Sequence, residues 1–241
     1  MARKKNTKQR VMSFGHGGWR PGAGRPRSKR RNKRVLHRRR PRITGRTPVH
    51  ITLRVRPELT SLRTNKRVRV IRNAFAACCA RDGFRIVDWA IQGNHLHLVV
   101  EADGNRKLAR GMQAFTIRVA RGLNRLARRK GAVFTERYHV HVLATPAEVR
   151  NARAYVLNNF RRHAAQSGRR VDSGWVDPYS SWAWFDGWRD LPRALKNSAA
   201  RERDGPALAT EPKSWLLRIG WRRRGLVGIN ETPAACAGRD R

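Results

Sequence analysis

Two short stretches of this chain combine residue types and spacings that could do chemistry: Asn94-His95-Leu96-His97-Leu98 and Tyr155-Val156-Leu157-Asn158-Asn159. On a strand, side chains alternate faces, so His95 and His97 would point one way while Leu96 and Leu98 turn into a core. On a helix, Tyr155 and Asn159 are four residues apart and share a face, so a phenol and a carboxamide could meet the imidazole pair. A free phenol, with a pKa of about 10, is a poor nucleophile unless a base or cation assists it. A divalent cation held by His95, His97 and the Asn159 amide oxygen would polarise a phosphodiester and stabilise the departing oxygen. Imidazole and oxygen donors suit Mg²⁺ or Mn²⁺ as well as later transition metals, so ligand type does not select the ion. The combined expectation is a metal-assisted site that nicks phosphodiesters, with Tyr155 as nucleophile.

A second His-apolar-His triplet, His139-Val140-His141, shows that the pattern arises easily. The first triplet is the better metal pair, because it follows a Gly-Asn turn and runs into Leu98-Val99-Val100, as a buried central strand would. His139 and His141 are expected to flank the site or to line a phosphate groove.

The elements that must position these groups can be read from hydrophobic periodicity. Val49, Ile51, Leu53 and Val55 alternate with polar residues and predict a strand ending at Pro57. Val68, Ile71, Phe75 and Cys78 predict a helix stopped by Asp82-Gly83. Phe84–Ile91 and His95–Glu101 predict two strands joined tightly through Gly93-Asn94. A long helix follows, with Leu108, Met112, Phe115, Val119, Leu123 and Leu126 on its apolar stripe. Arg118, Arg121, Arg125 and Arg128 line another face, which is either a solvated surface or a phosphate grip. Residues 133–143 predict a fourth strand.

Thr145, Pro146 and Glu148 then form a capping-box start for a last helix closed by Gly168. Its stripe of Val149, Ala152, Val156 and Phe160 leaves Tyr155 and Asn159 at the edge of the core. The order strand, helix, strand, strand, helix, strand, helix predicts an α+β, ferredoxin-like split βαβ sandwich, an antiparallel sheet with helices on one face plus an additional C-terminal catalytic helix. Such a fold carries many functions and establishes none.

The 241 residues carry 55 Lys+Arg against 16 Asp+Glu, a formal net charge of +39. So large an excess favours a polyanionic partner, because cations gain affinity by displacing phosphate counterions. No acidic residue precedes Glu58, and residues 1–46 read as a disordered basic arm. Within it, Gly24-Arg25-Pro26-Arg27 matches either a minor-groove reader or a generic basic linker. Residues 169–241 form a basic extension with Trp175, Trp182, Trp184, Trp188, Trp215 and Trp221, whose rings could pack on the core or stack on bases. Cys78, Cys79 and Cys236 give neither a disulfide framework nor a zinc spacing, which fits a reducing cytoplasm. No apolar run is long enough to span a bilayer, so no membrane association and a cytoplasmic, nucleoid-associated location are expected.

The residues from about Pro48 to Tyr179-Ser180-Ser181-Trp182 resemble the REP-associated tyrosine transposases, within the single-tyrosine HUH transposases. Gly93-Asn94-His95-Leu96-His97-Leu98 is similar to the HUH strand of that family, and Tyr155-Val156-Leu157-Asn158-Asn159 to its Tyr-x-x-x-Asn helix. The basic Gly-Pro-Arg arm is also similar in character. The resemblance implies a catalytic domain over residues 47–168. It also implies His95, His97 and Asn159 as ligands of Mg²⁺ or Mn²⁺, and Tyr155 as the group attacking a single-stranded DNA phosphate. The expected products are a 5′-phosphotyrosine and a free 3′-hydroxyl that allows rejoining, on DNA with hairpins of repeated palindromic elements. Phe160 departs from the pattern, since many relatives carry proline there, which puts the continuation of the helix in question. Monomer and homodimer both stay open. The alternatives are a non-catalytic hairpin binder derived from a transposase and an RNA-binding basic protein.

Overall fold

A computed structural model of the chain describes residues 41–233. The basic arm up to residue 40, including Gly24-Arg25-Pro26-Arg27, and the terminal stretch with Cys236 lie outside the described residues. Of the arm expected over residues 1–46, the described part is anchored: Ile43 is buried, its N–H donates to Asn105 Oδ1 at 2.9 Å, and Asn105 Nδ2 donates to the Pro41 carbonyl at 2.9 Å.

The sheet has five strands in the order β2-β3-β4-β1-β5, with β1 Val49–Arg54, β2 Ala80–Arg81, β3 Phe84–Ile91, β4 His95–Ala102 and β5 His139–Val142. All its pairings are antiparallel. The alternation read from the sequence gives each strand two distinct faces. Val49, Ile51 and Leu53 of β1 and Leu96, Leu98 and Val100 of β4 join one apolar cluster with helices α1 (Asn65–Cys78) and α2 (Asn105–Leu126). Val99 of β4 and Val87 and Ala90 of β3 join a second cluster with helix α3 (Pro146–Gln166). The sheet is therefore a layer between α1 and α2 on one side and the additional helix α3 on the other.

Burial explains why these elements hold. The α1 stripe buries Val68, Ile71, Ala74, Phe75 and Cys78, and Phe75 stacks on Trp89 of β3 and Phe115 of α2 at 4.5 and 4.9 Å. Each such side chain contributes roughly 1.5–3 kcal/mol when fully buried. Gly111 lets α2 approach the sheet, since a Cβ there would lie 2.2 Å from the Phe84 ring. The expected stripe of α2 is buried as far as Leu123, but Leu126 is exposed because the helix ends there. Arg128 has already left the helix: with φ 49° it closes a Schellman cap in which Arg129 N–H donates to Asn124 O at 2.9 Å.

Two irregularities were not legible from periodicity. In β3 the register against β4 shifts between Ile86 and Asp88, a bulge that turns both Val87 and Asp88 toward α3. The strand expected over residues 133–143 is reduced to His139–Val142, with an isolated bridge from Val55 to Phe134. Between these pairings, residues 134–139 face only residues 52–55, so the ladder is interrupted.

The Trp-rich segment packs on this frame. Phe185, Leu216, Leu217, Trp221 and Val227 share the cluster of α3 and the sheet. Residues 179–181 pair with the free edge of β3, with Ser181 N–H donating to Trp89 O and Ile91 N–H to Tyr179 O, both at 2.8 Å. That pairing covers an edge that would otherwise present unpaired backbone groups. Trp182 and Trp221 are buried, whereas Trp175 and Trp215 stay exposed.

Candidate active site

The geometry of the site begins at β4. Its tight connection to β3 is closed by Gln92 N–H donating to His95 O at 2.8 Å, which sets the phase of the strand. His95, His97, Val99 and Glu101 then face α3 while Leu96, Leu98 and Val100 face α1 and α2, as the alternation predicts. The His95 and His97 imidazoles meet through Nε2 atoms 2.9 Å apart, their rings nearly perpendicular.

Each ring is fixed from behind. His95 Nδ1 faces Asn94 Oδ1 at 2.7 Å, and because that oxygen can only accept, the Nδ1 proton leaves Nε2 with its lone pair inward. His97 Nδ1 lies 3.2 Å from His50 Nε2 and 3.3 Å from Thr52 Oγ1. The register explains the meeting, since Thr52 pairs directly with His97 across β1 and β4. His50, which the sequence reading passed over, thus holds the second imidazole. Its only sequence signal was its place on the polar face of β1, and the neighbour of that face is set by topology.

The same register places the second triplet. His139 pairs with Thr52 and His141 with His50, so both project from the face that carries His95 and His97 and remain exposed. They flank the site, and His139 Nε2 engages Glu136 at 2.8 Å.

Helix α3 lies over this histidine face. Its capping box is formed as expected, with Glu148 N–H donating to Thr145 Oγ1 at 3.2 Å and Thr145 N–H to Glu148 Oε2 at 3.0 Å. The Tyr155 ring is half-buried and stands edge-on to His97 and His50, with centroids 5.1 and 5.8 Å away. The guanidinium of Arg162 lies 5.7 Å from the centre of that ring, and the His163 ring lies 6.3 Å from that of His95. Tyr155, Asn159 and His163 follow at steps of four, so their shared face was legible; that Arg162 and His163 reach the site was not read.

Asn159 is not at the edge of the core, as the apolar stripe suggested, but fully buried. A later segment also holds neighbouring residues of this helix: Asn158 Nδ2 donates to Gly228 O at 3.0 Å and Arg161 Nε to Ile229 O at 2.9 Å. The helix does continue past Phe160 to Gln166, though with non-helical angles at Asn158 (φ −109°, ψ 15°). The kink falls where the residues tethered to Gly228 and Ile229 meet the site.

A buried ion pair fixes the azimuth of α3. Arg153 donates through Nε to Asp88 Oδ2 at 2.8 Å and through Nη2 to Oδ1 at 3.2 Å, and its Nη1 reaches the Leu217 carbonyl at 3.1 Å. The guanidinium lies beside the rings of Phe185 and Trp221, 4.5 and 4.7 Å from their centres. Burial pushes the Asp88 carboxyl up from the usual carboxylate range against the pull of Arg153. The bulge at Val87 is what turns Asp88 toward this helix.

Burial also sets the protonation of the imidazoles. His50 and His95 are each held down to about 4, first by desolvation, then by His141 for His50 and by His163 for His95. His97 is held well below the usual range, again first by desolvation and then by His50. All are neutral near pH 7 and can offer lone pairs. Two nitrogens 2.9 Å apart match adjacent ligands of one cation, since bonds of about 2.1 Å at a right angle span roughly 3.0 Å. Among the described residues both amide atoms of Asn159 are buried without a hydrogen-bond partner, a condition costing about 1–3 kcal/mol per atom that a cation would relieve at Oδ1. Two neutral imidazole nitrogens and an orphaned amide oxygen are donors of the kind a divalent metal takes. Among the described residues no group of three or more His, Cys, Asp or Glu is placed to hold a metal ion.

The arginine row lies elsewhere. Arg118, Arg121, Arg125 and Arg128 are exposed, but α2 packs on the sheet face opposite the histidines. Arg128, beyond the helix end, is not part of the helical row. Phosphates gripped there would be separated from the histidine face by the sheet. No described helix is long and apolar enough to cross a membrane.

Residues 45–159 match the family model "Transposase IS200 like". Among solved structures, the chain is similar to a REP-associated tyrosine transposase bound to a REP hairpin, at 16% identity over 61% of this chain and 83% of that one, with a TM-score of 0.46. It is also similar to a transposase candidate from Deinococcus radiodurans R1, at 10% identity over 52% of this chain and 92% of that one, with a TM-score of 0.35. No curated protein matches.

Proposed function

We propose that this chain, whose residues 45–159 match the IS200-like transposase family, nicks and rejoins single-stranded DNA through Tyr155. The observation that carries this reading is the convergence of His95 and His97 Nε2 with the Tyr155 ring beside them. The resemblance to REP-associated tyrosine transposases supplies the substrate class, single-stranded DNA carrying palindromic hairpins. A net charge of +39 suits such a polyanion.

His95, His97 and the Asn159 amide oxygen would hold Mg²⁺ or Mn²⁺, which when bound polarises the phosphate and stabilises the leaving oxygen. The chain's own groups do the rest. Asn94 and His50 hold the two imidazoles so that both Nε2 lone pairs face inward. When those nitrogens act as ligands, the proton of His97 resides on Nδ1 and is donated to His50 Nε2 or Thr52 Oγ1. The Tyr155 oxygen attacks phosphorus, the bond from phosphorus to the 3′ oxygen breaks, and that oxygen leaves as a 3′-hydroxyl after taking up a proton. The phosphate stays on the tyrosine as a 5′-phosphotyrosine. Attack by a 3′-hydroxyl on that linkage reverses the bond changes and joins strands. Arg162, over the phenol ring, places positive charge where the phenolate develops.

The test is covalent capture. A labelled hairpin oligonucleotide with unpaired flanks, incubated with Mg²⁺ or Mn²⁺, should become attached to the wild-type protein and not to Tyr155→Phe. Tight hairpin binding with no adduct under either metal would favour a non-catalytic binder, and preference for a matched RNA hairpin at fixed salt would favour an RNA-binding role.

A further inference from the structure

Beside His95 a cleft of about 580 Å³ opens, lined by Gln92, His95, Phe160, Arg170, Asp172 and Trp175 among others. Its volume falls within the range of about 300–1,000 Å³ that takes small organic groups. None of the phosphoryl-transfer steps above uses it, apart from the wall it shares with the site at Asn94, His95 and His163.

Three observations identify an occupant. The Trp175 ring is 39% exposed although it meets Phe160 edge to face with centroids 4.4 Å apart. Its backbone is held still, since Arg161 Nη2 donates to the carbonyls of Trp175 and Asp172 at 2.9 and 3.0 Å. This is a fixed aromatic platform open to the cleft. Gln92, a lining residue at 5% exposure, has its Nε2 buried with no hydrogen-bond partner among the described residues, a donor that requires an acceptor. Arg169 and Arg170 stand exposed at the rim. A lone phosphate would need the guanidiniums but not the platform, and an apolar side chain would leave the amide unanswered. A flat ring with polar edges, attached to a phosphate, answers all three.

We infer that this cleft is a pocket for one unpaired nucleobase of the DNA strand, stacked on Trp175 with its edge on the Gln92 amide, directly beside the phosphate at His95. The inference rests on the proposed DNA-cleaving reading for the identity of the strand. Asp172 offers an acceptor for an exocyclic amino group, and the rim arginines hold the flanking phosphates.

The test is equilibrium binding by fluorescence anisotropy, carried out on Tyr155→Phe protein so that covalent capture does not enter. The probe is a DNA hairpin with unpaired flanks, scanned with single abasic sites. Base stacking on an aromatic side chain is worth about 1–3 kcal/mol, so one abasic position should weaken binding roughly 5- to 150-fold. Trp175→Ala should weaken the intact oligonucleotide by a similar factor and add nothing on the abasic one, and Trp175→Phe should restore most of the loss. Losses that multiply, or intact-oligonucleotide affinity unchanged by Trp175→Ala, would overturn the inference. Should thermal melting show Trp175→Ala to be unfolded, Gln92→Ala in the same cycle decides between the same outcomes. Wild-type protein that forms no adduct would remove the cleavage reading alone, because the coupling of base to Trp175 is measured without chemistry.

Discussion

Replacing Arg153 by methionine tests whether a buried ion pair holds α3 in place. Arg153 and Asp88 are 3% and 1% exposed, and the guanidinium makes two bonds to the carboxylate and one to the Leu217 carbonyl. Methionine keeps much of the apolar stem beside Phe185 and Trp221 but leaves the carboxylate uncompensated. Breaking one partner of such a pair costs about 3–5 kcal/mol, a large part of the roughly 5–15 kcal/mol that holds a domain folded. At about 2–4 °C per kcal/mol for a chain of this size, the melting temperature at pH 7 should fall by roughly 6–20 °C.

The loss should shrink as pH is lowered. Burial already raises the Asp88 carboxyl, and removal of Arg153 raises it further. An acid whose folded pKa is raised costs stability above that pKa and regains it as protonation neutralises it. Arg153→Met should therefore recover, relative to wild type, on going from pH 7 toward pH 5. Asp88→Asn combined with Arg153→Met should restore most of the stability at pH 7. Melting and denaturant titrations at both pH values, together with adduct formation by Tyr155, are the assays. A single variant that loses under about 1 kcal/mol, or a double variant no better than the single, would refute the argument that the pair anchors α3.

Three further outcomes follow from particular residues. Arg128→Gly relieves a left-handed conformation at the end of α2 and should raise stability by about 0.5–1 kcal/mol in denaturant titration, and a loss would contradict the strain assigned there. Burial holds His50 down to about 4 from its ordinary 6.5, so it disfavours the folded state increasingly as pH falls through 6.5 toward 4; wild type should lose more stability than His50→Gln between pH 7.5 and 5, and equal losses would contradict the burial argument. Substituting Arg118, Arg121 and Arg125 together by alanine should weaken hairpin affinity and flatten its salt dependence while leaving the cleavage rate at saturating DNA unchanged; a lower saturated rate would contradict their placement on the face of the sheet away from the histidines.

Much of this arrangement was written in local pattern. The alternation in β1 and β4, the capping box of α3 and the stripe of α1 are decisions made within a few residues, so periodicity and capping chemistry suffice to read them. The pairing of His50 with His97 depends on which strands are neighbours, and periodicity does not carry that. The bulge at Val87 turns Asp88 toward Arg153 through a change of register that leaves no mark on composition. The full burial of Asn159 depends on how α3 docks in the fold, which its apolar stripe alone does not carry. The strand before His139 was drawn too long because its apolar and aromatic residues hide an interrupted ladder. Arg162 and His163 were visible on the helix, but their place beside Tyr155 and His95 needed the helix docked.

Mapping the peptide that carries the covalent DNA most directly tests the central claim. Wild-type protein is incubated with a labelled hairpin oligonucleotide and Mn²⁺, digested, and the cross-linked peptide sequenced by mass spectrometry. The account predicts a single phosphate-linked peptide containing Tyr155, joined through the 5′ phosphate of the downstream strand and absent when His95 and His97 are both alanine. A linkage at another residue, or an adduct that persists in Tyr155→Phe, would contradict it.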